Sequence, residues 1–145
     1  MISKDESNEK VSEGWLRVWF AFEALAVNED VTKKSLENLI DKIEADARVK
    51  IYRKDFSPAK KVENPIQGIK EGWSVVCEVE FVAKKFDDLV HVVMEYGPSA
   101  VEILEPKEMK LGVGECQNIL NGVSDMMHRF ATAGVGGMVV VRGKE

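Results

Sequence analysis

The chain has 145 residues, of which 45% are hydrophobic and 31% charged, with a formal net charge of -5 at neutral pH. That size and balance fit one soluble globular domain, or one domain with a tail, and the acidic total weighs against general nucleic-acid binding. The longest apolar runs fall well short of the ~18 residues of a membrane span, and two cysteines without a CxxC pair exclude a disulfide framework. Residues 1–14 (MISKDESNEKVSEG) lack both periodicity and the apolar segment of a signal peptide. They are expected to form a disordered polar tail on a cytoplasmic protein.

Trp15 to Val27 (WLRVWFAFEALAV) is the most apolar run, and its period of two predicts a central strand. Leu16, Val18, Phe20, Phe22 and Ala24 make a core face; Trp15, Arg17, Trp19, Ala21 and Glu23 make a mixed one. Asn28-Glu29-Asp30 supplies a helix N-cap. From Val31 to Ala47 the apolar residues Leu36, Leu39, Ile40, Ile43 and Ala47 recur at helical spacing. Val49 to Phe56 reads as an edge strand crowded with lysine and arginine, which discourage stray pairing. Ser57-Pro58, Asn64-Pro65, Gly68 and Gly72 then mark a long irregular connection.

Trp73 to Ala83 (WSVVCEVEFVA) repeats the first pattern, with Trp73, Val75, Cys77, Val79 and Phe81 on a core face and Ser74, Val76, Glu78, Glu80 and Val82 on a mixed one. Phe86 to Tyr96 is a helix stopped by Gly97-Pro98. Val101 to Leu104 is a short strand, and Glu115 to Phe130 is a helix with a Cys116, Ile119, Leu120, Val123, Met127, Phe130 stripe. Gly134 to Gly137 reads as a hinge into a short strand-like run, Met138 to Val141.

The order strand, helix, strand, strand, helix, strand predicts an α+β fold of the ferredoxin-like, split β-α-β kind. It would be an antiparallel four-stranded sheet with two helices on one face and an added C-terminal helix. The domain would span 15–133, followed by a hinge and terminal strand over 134–145. Economy of burial predicts that the C-terminal helix covers the mixed sheet face, or docks on another subunit.

The block Tyr96 to Leu111 (YGPSAVEILEPKEMKL) and the following helix ECQNILNGVSDMMHRF carry a resemblance. Over about Trp15 to Phe130 the chain resembles a group of small archaeal proteins of unassigned function, with a ferredoxin-like core and a trailing helix. The GPSAVEILEP run with its helix is also similar to the C-terminal ligand-sensing extension of WYL-type transcription regulators. This chain has neither the DNA-binding domain nor the WYL barrel, so only the fold is implied. Neither resemblance places a catalytic residue.

The richest chemistry sits on the mixed face. Glu78, Glu80 and Glu23 could shift one another's ionisation or hold a cation, or could form an exposed face whose charge Arg17 offsets. With Trp19 and Arg17 they make the candidate ligand site. Asp87, His91 and Glu95 form a row on one helix, but a metal site needs ligands converging from more than one element. Ser124, Asp125 and His128 lie on one helix and cannot form a catalytic triad, and GVGG follows a helix where a phosphate loop would precede one. No catalytic residue, metal or cofactor is expected.

Arg48 to Lys61 sets six cations against Asp55 alone, a local charge of +5 that leaves -10 for the remainder. With Tyr52 and Phe56 among them these cations could touch RNA, but Glu78 and Glu80 on the open face would repel phosphate. Arg53, Lys54, Lys60 and Lys61 suit an acidic partner instead, and Met138 and Val140 suit a strand added to a second copy. The sequence thus reads as a non-enzymatic binding module that forms a homo-oligomer. The alternative is a small-molecule sensor with its ligand between the sheet face and the C-terminal helix.

Overall fold

The structure, a computed structural model, describes residues 1–133. The expected hinge and terminal strand, with Met138 and Val140, lie outside the described residues. The chain falls into two compact units, Met1–Glu108 and Met109–Glu145, so the expected domain 15–133 takes in parts of both.

The first unit contains α1 (Lys4–Ser12), β1 (Leu16–Ala26), α2 (Glu29–Glu44), β2 (Val49–Phe56), β3 (Lys60–Ile66), β4 (Ile69–Ala83), α3 (Phe86–Tyr96) and β5 (Ala100–Glu105). The second contains α4 (Val113–Thr132). The sheet is antiparallel and open, with strand order β2-β4-β1-β5 and β3 also paired to β4. Among the described residues it has five strands, not the four expected, and the two most apolar, β1 and β4, lie at its centre.

All eleven residues of β1 pair with β4, from Leu16↔Ala83 to Ala26↔Trp73, without a shift of register. Alternation therefore puts Leu16, Val18, Phe20 and Phe22 on the same face as Val75, Cys77, Val79 and Phe81. Leu36, Ile40 and Ile43 of α2 and Leu89 and Val92 of α3 close over that face. Phe20 is the hub, edge-on to Phe81 at 4.7 Å and to Phe22 at 5.7 Å. Rings meeting this way add about 0.5–1.5 kcal/mol per pair beyond their burial.

Local chemistry sets the helix ends. Asn28 Oδ1 accepts from the Asp30 and Val31 amides at 2.8 and 3.2 Å, capping α2. Gly97 turns left-handed at φ 58° and its N–H donates to the Val93 carbonyl, ending α3.

Two expectations are corrected. Residues 1–14 are not a disordered tail: α1 forms within them, opened by a reciprocal capping box in which Ser3 Oγ accepts from the Glu6 amide and the Glu6 carboxylate accepts from the Ser3 amide. The irregular connection after Ser57-Pro58 contains β3, which forms a hairpin with β4 through a two-residue turn at Gln67 and Gly68. Gly68 supplies the positive φ that turn needs. The Asn64-Pro65 pair that reads as a break is absorbed by a register shift between Glu63 and Ile66, with Asn64 at φ 51°.

One polar cluster ties the end of α2 to the end of α3. Arg48 grips Asp46 through two hydrogen bonds of 3.0 and 2.6 Å and reaches Glu95 at 2.5 Å. The Tyr96 hydroxyl donates to Asp46 at 2.8 Å. The Arg48 hydrogen bonds hold the Asp46 carboxyl well below the usual carboxylate range, although burial opposes this. Burial, helped by the bond to Asp46, pushes the Tyr96 phenol up to about 12.

A carboxylate whose folded pKa is depressed stabilises above its unfolded value and loses that contribution as pH falls through the folded one. Asp46→Asn is therefore expected to cost about 2 kcal/mol at pH 7. The gap from the unsubstituted protein should close progressively as the pH drops below about 4. Urea melts of both proteins at pH 7 and pH 3 check this; an equal gap at both would refute it.

Candidate functional site

The sheet face turned away from α2 and α3 carries the candidate residues. Register places Arg17 opposite Val82, Trp19 opposite Glu80, Ala21 opposite Glu78 and Glu23 opposite Val76. Arg17, Trp19, Glu23, Glu78 and Glu80 therefore do share one face of two adjacent strands, as the alternation predicts.

Their surroundings differ sharply. Arg17 is only 7% exposed. Its Nε donates to Glu105 Oε2 at 2.6 Å, Nη1 to Ser7 Oγ at 3.2 Å and Nη2 to Asn8 Oδ1 at 2.7 Å. The guanidinium lies 5.1 Å from the centre of the Tyr52 ring. Burial works against its charge, but Tyr52 and Glu105 outweigh it and raise the pKa above the ordinary arginine value. A planar fork with several donors suits this three-sided grip.

These contacts dock α1. Its one buried residue is Ser7, Val11 is half-buried, and two of its lysines stack on aromatic rings. Lys4 Nζ sits 4.7 Å from the Tyr52 ring centre, and Lys10 Nζ sits 4.4 Å from that of Trp15. Within the first unit, α1 gives the mixed face a partial cover.

A bulge puts both Tyr52 and Arg53 on the outer face. Register in β2 shifts between Ile51, opposite Phe81, and Arg53, opposite Glu80, which leaves Tyr52 as the extra residue. Glu80 then accepts from the Tyr52 hydroxyl at 3.3 Å and from Arg53 Nη1 at 2.7 Å. The cation that balances Glu80 is thus Arg53, and Arg17 is turned to Glu105. Burial pushes the Tyr52 phenol above its ordinary pKa, with the Arg17 bond opposing.

Further along the face, Glu23 and Glu78 are exposed, while Trp19 and Val76 are half-buried. The basic segment is largely matched within the chain. Arg53 pairs with Asp55 and Glu80, Lys54 with Glu44 at 2.9 Å, and Lys61 with Glu71 at 3.3 Å. Lys60 is exposed at the start of β3, opposite Ser74.

The row on α3 does not converge on one point. His91 Nδ1 lies 3.1 Å from Asp87 Oδ1, whereas Glu95 is taken by Arg48. Among the described residues, no group of three His, Cys, Asp or Glu side chains is placed to hold a metal. Burial pushes the Cys77 thiol up to about 11, which leaves it protonated and inert near neutral pH. No helix among the described residues is long and apolar enough to cross a membrane.

A concave spot of about 400 Å³ opens where α1 meets the end of β5, lined by Val11, Gly14, Trp15, Leu104, Glu105, Pro106 and Lys107. Sequence reasoning missed this corner and the residues that build it, Ser7, Asn8 and Glu105. The one legible signal was Ser3-x-x-Glu6, the signature of a capping box.

A protein-family model, that of the MJ0538 family, matches residues 17–144. Neither α1 nor Trp15 falls within the match. No curated protein matches the chain.

Arg17 is the post on which α1 rests. Arg17→Met is expected to cost about 2 kcal/mol through loss of hydrogen bonds to a charged group. It should also free α1, seen as fast hydrogen exchange across residues 4–12. Arg17→Lys should not restore protection, because one ammonium cannot span the same three acceptors. Slow exchange in α1 of the Met variant would show that the helix is held by something else.

Proposed function

Since the chain belongs to the MJ0538 family, a family of small archaeal-like proteins whose name states no activity, we propose that it is a binding module working as a homo-oligomer. Its core is a ferredoxin-like domain: β1-α2-β2 and β4-α3-β5 interleave, and β3 is an addition. Arg17, Glu80 and Arg53 of the outer face are committed to partners within the chain, so the binding surface of this reading lies elsewhere.

The observation that carries this reading is the apolar load left outside on α4. Val113, Leu120, Val123, Met127 and Phe130 are all exposed, Leu120 by 69%. Soluble monomers rarely show water a contiguous apolar patch of this kind, and such patches mark association surfaces. A second copy is the partner available at the concentration of the chain itself.

Light scattering across a concentration series tests the proposal. A mass of twice the chain or more at working concentration is expected. A constant monomer mass up to the highest soluble concentration would overturn it.

A second reading, small-molecule sensing, draws on the concave spot beside Trp15. Its apolar walls and the nearby Lys107 suit a small aromatic or aliphatic acid. Indole-3-acetate and benzoate are the probes: a saturable rise in melting temperature that Trp15→Ala abolishes is expected if this spot binds ligand. No shift at millimolar concentration would dismiss both acids as ligands.

A further inference from the structure

A surface helix usually docks by an apolar stripe. α1 has a single apolar residue, Val11, and its fully buried residue is Ser7, at 0% exposure. Ser7 Oγ and Asn8 Oδ1, from consecutive residues, sit on Nη1 and Nη2 of Arg17 at 3.2 and 2.7 Å. Two oxygens on those two nitrogens are what one carboxylate or phosphate group presents to a guanidinium in a bidentate pair. Both oxygens of α1 are uncharged. The carboxylate on Arg17 is that of Glu105, held by Nε, and its side chain is 51% exposed, so water screens much of its charge.

The strand register adds a second cation. Lys50, Val82, Arg17 and Glu105 lie opposite one another in a row across β2, β4, β1 and β5. Val82, fully buried, lies between the two cations. Lys50 is half-buried and borders a hollow of about 380 Å³ with Glu6, Glu9 and Glu13. Those carboxylates stand beside Lys50 only while α1 is docked, so docking repels anions and release admits them.

The helix itself is replaceable. It has nine residues, and isolated helices shorter than ~12–15 are marginal in water, so α1 depends on its docking. The chain is tied again at Ile2, whose N–H donates to the Ile51 carbonyl at 2.9 Å, and at Leu16, where β1 begins. Between those ties α1 lifts without unpairing the sheet. We propose that α1 is a detachable cap over an oxyanion site. A small metabolite bearing a carboxylate or phosphate displaces Ser7 and Asn8 from Arg17, reaches Lys50 across Val82, and lifts the helix. The anion brings the charge that those two side chains lack, in hydrogen bonds roughly twice as strong as neutral ones. The site stands apart from both readings above and needs neither.

Titration calorimetry and hydrogen exchange on the full chain test it, with inorganic phosphate and benzoate as separate probes at constant ionic strength. Only molecules with α1 lifted bind, so loosening the cap tightens binding. Ser7→Ala made with Asn8→Ala is expected to bind one or both probes about tenfold more tightly than the unsubstituted chain. Saturating probe is expected to speed exchange across residues 4–12 of the unsubstituted chain while β1 and β4 keep their protection. Added to the double variant, Lys50→Ala should weaken binding about tenfold and Arg17→Met should abolish it. Lys50→Ala decides the matter should Arg17→Met fail to fold.

Binding of phosphate alone would assign the site to phosphates, and of benzoate alone to carboxylates. Equal affinity with and without Ser7 and Asn8, or exchange in residues 4–12 that slows or stays constant under saturating probe, would overturn the cap. Binding indifferent to Lys50→Ala would place the anion elsewhere. No binding of either probe to the double variant at millimolar concentration would refute the site.

Discussion

The fold hangs on the ladder between β1 and β4. Eleven consecutive pairs without a bulge lock the parity of both strands, so every second side chain of each must lie on one face. On one side that parity collects an aromatic and β-branched core, with Phe20 touching both Phe22 and Phe81. Burying side chains of this size stabilises by about 1.5–3 kcal/mol each. A slip of one residue would carry that whole set to the other face. β4 extends the consequence, because its fifteen residues template β2 and β3 as well.

The same parity made much of the fold legible in the sequence. The two central strands, the stripe of α2 and the Gly97-Pro98 stop on α3 follow from spacing and from backbone preferences acting within a few residues. The elements that could not be read are those held by long-range polar contacts. α1 buries only Ser7 and has no apolar stripe, so a search for amphipathic periodicity passes over it. It is ordered because Arg17, whose side chain is anchored by Glu105 from the far end of the unit, offers it a fixed set of donors. β3 was hidden by Asn64-Pro65, chemistry that ends most strands and here sits in an irregular stretch of ladder.

For the candidate site, the sequence could say which residues share a face but not which partners they take. Alternation put Arg17, Trp19, Glu23, Glu78 and Glu80 together, and the register agrees. The pairing of charges was decided by strands brought alongside from elsewhere. Arg53 on β2 answers Glu80, and Glu105 on β5 answers Arg17, 88 residues along the chain. Proximity in sequence carries no such information. The outcome is a face divided in two: one half is a tied polar lattice under α1, and the other runs from half-buried Trp19 to the exposed carboxylates of Glu23 and Glu78.

The bulge at Tyr52 has a mechanical meaning. Without that residue, Val49-Lys50-Ile51 followed by Arg53-Lys54-Asp55-Phe56 is an unbroken alternation, with Arg53 still opposite Glu80 and Lys54 still opposite Val79. The ladder has no need of Tyr52. Its ring instead meets Lys4 and Arg17, the helix and the post that holds it. The extra residue therefore couples two layers: its ring lies against Lys4 and Arg17 while its hydroxyl donates to Glu80, so a disturbance of α1 is felt at the Glu80–Arg53 pair on the edge of the sheet.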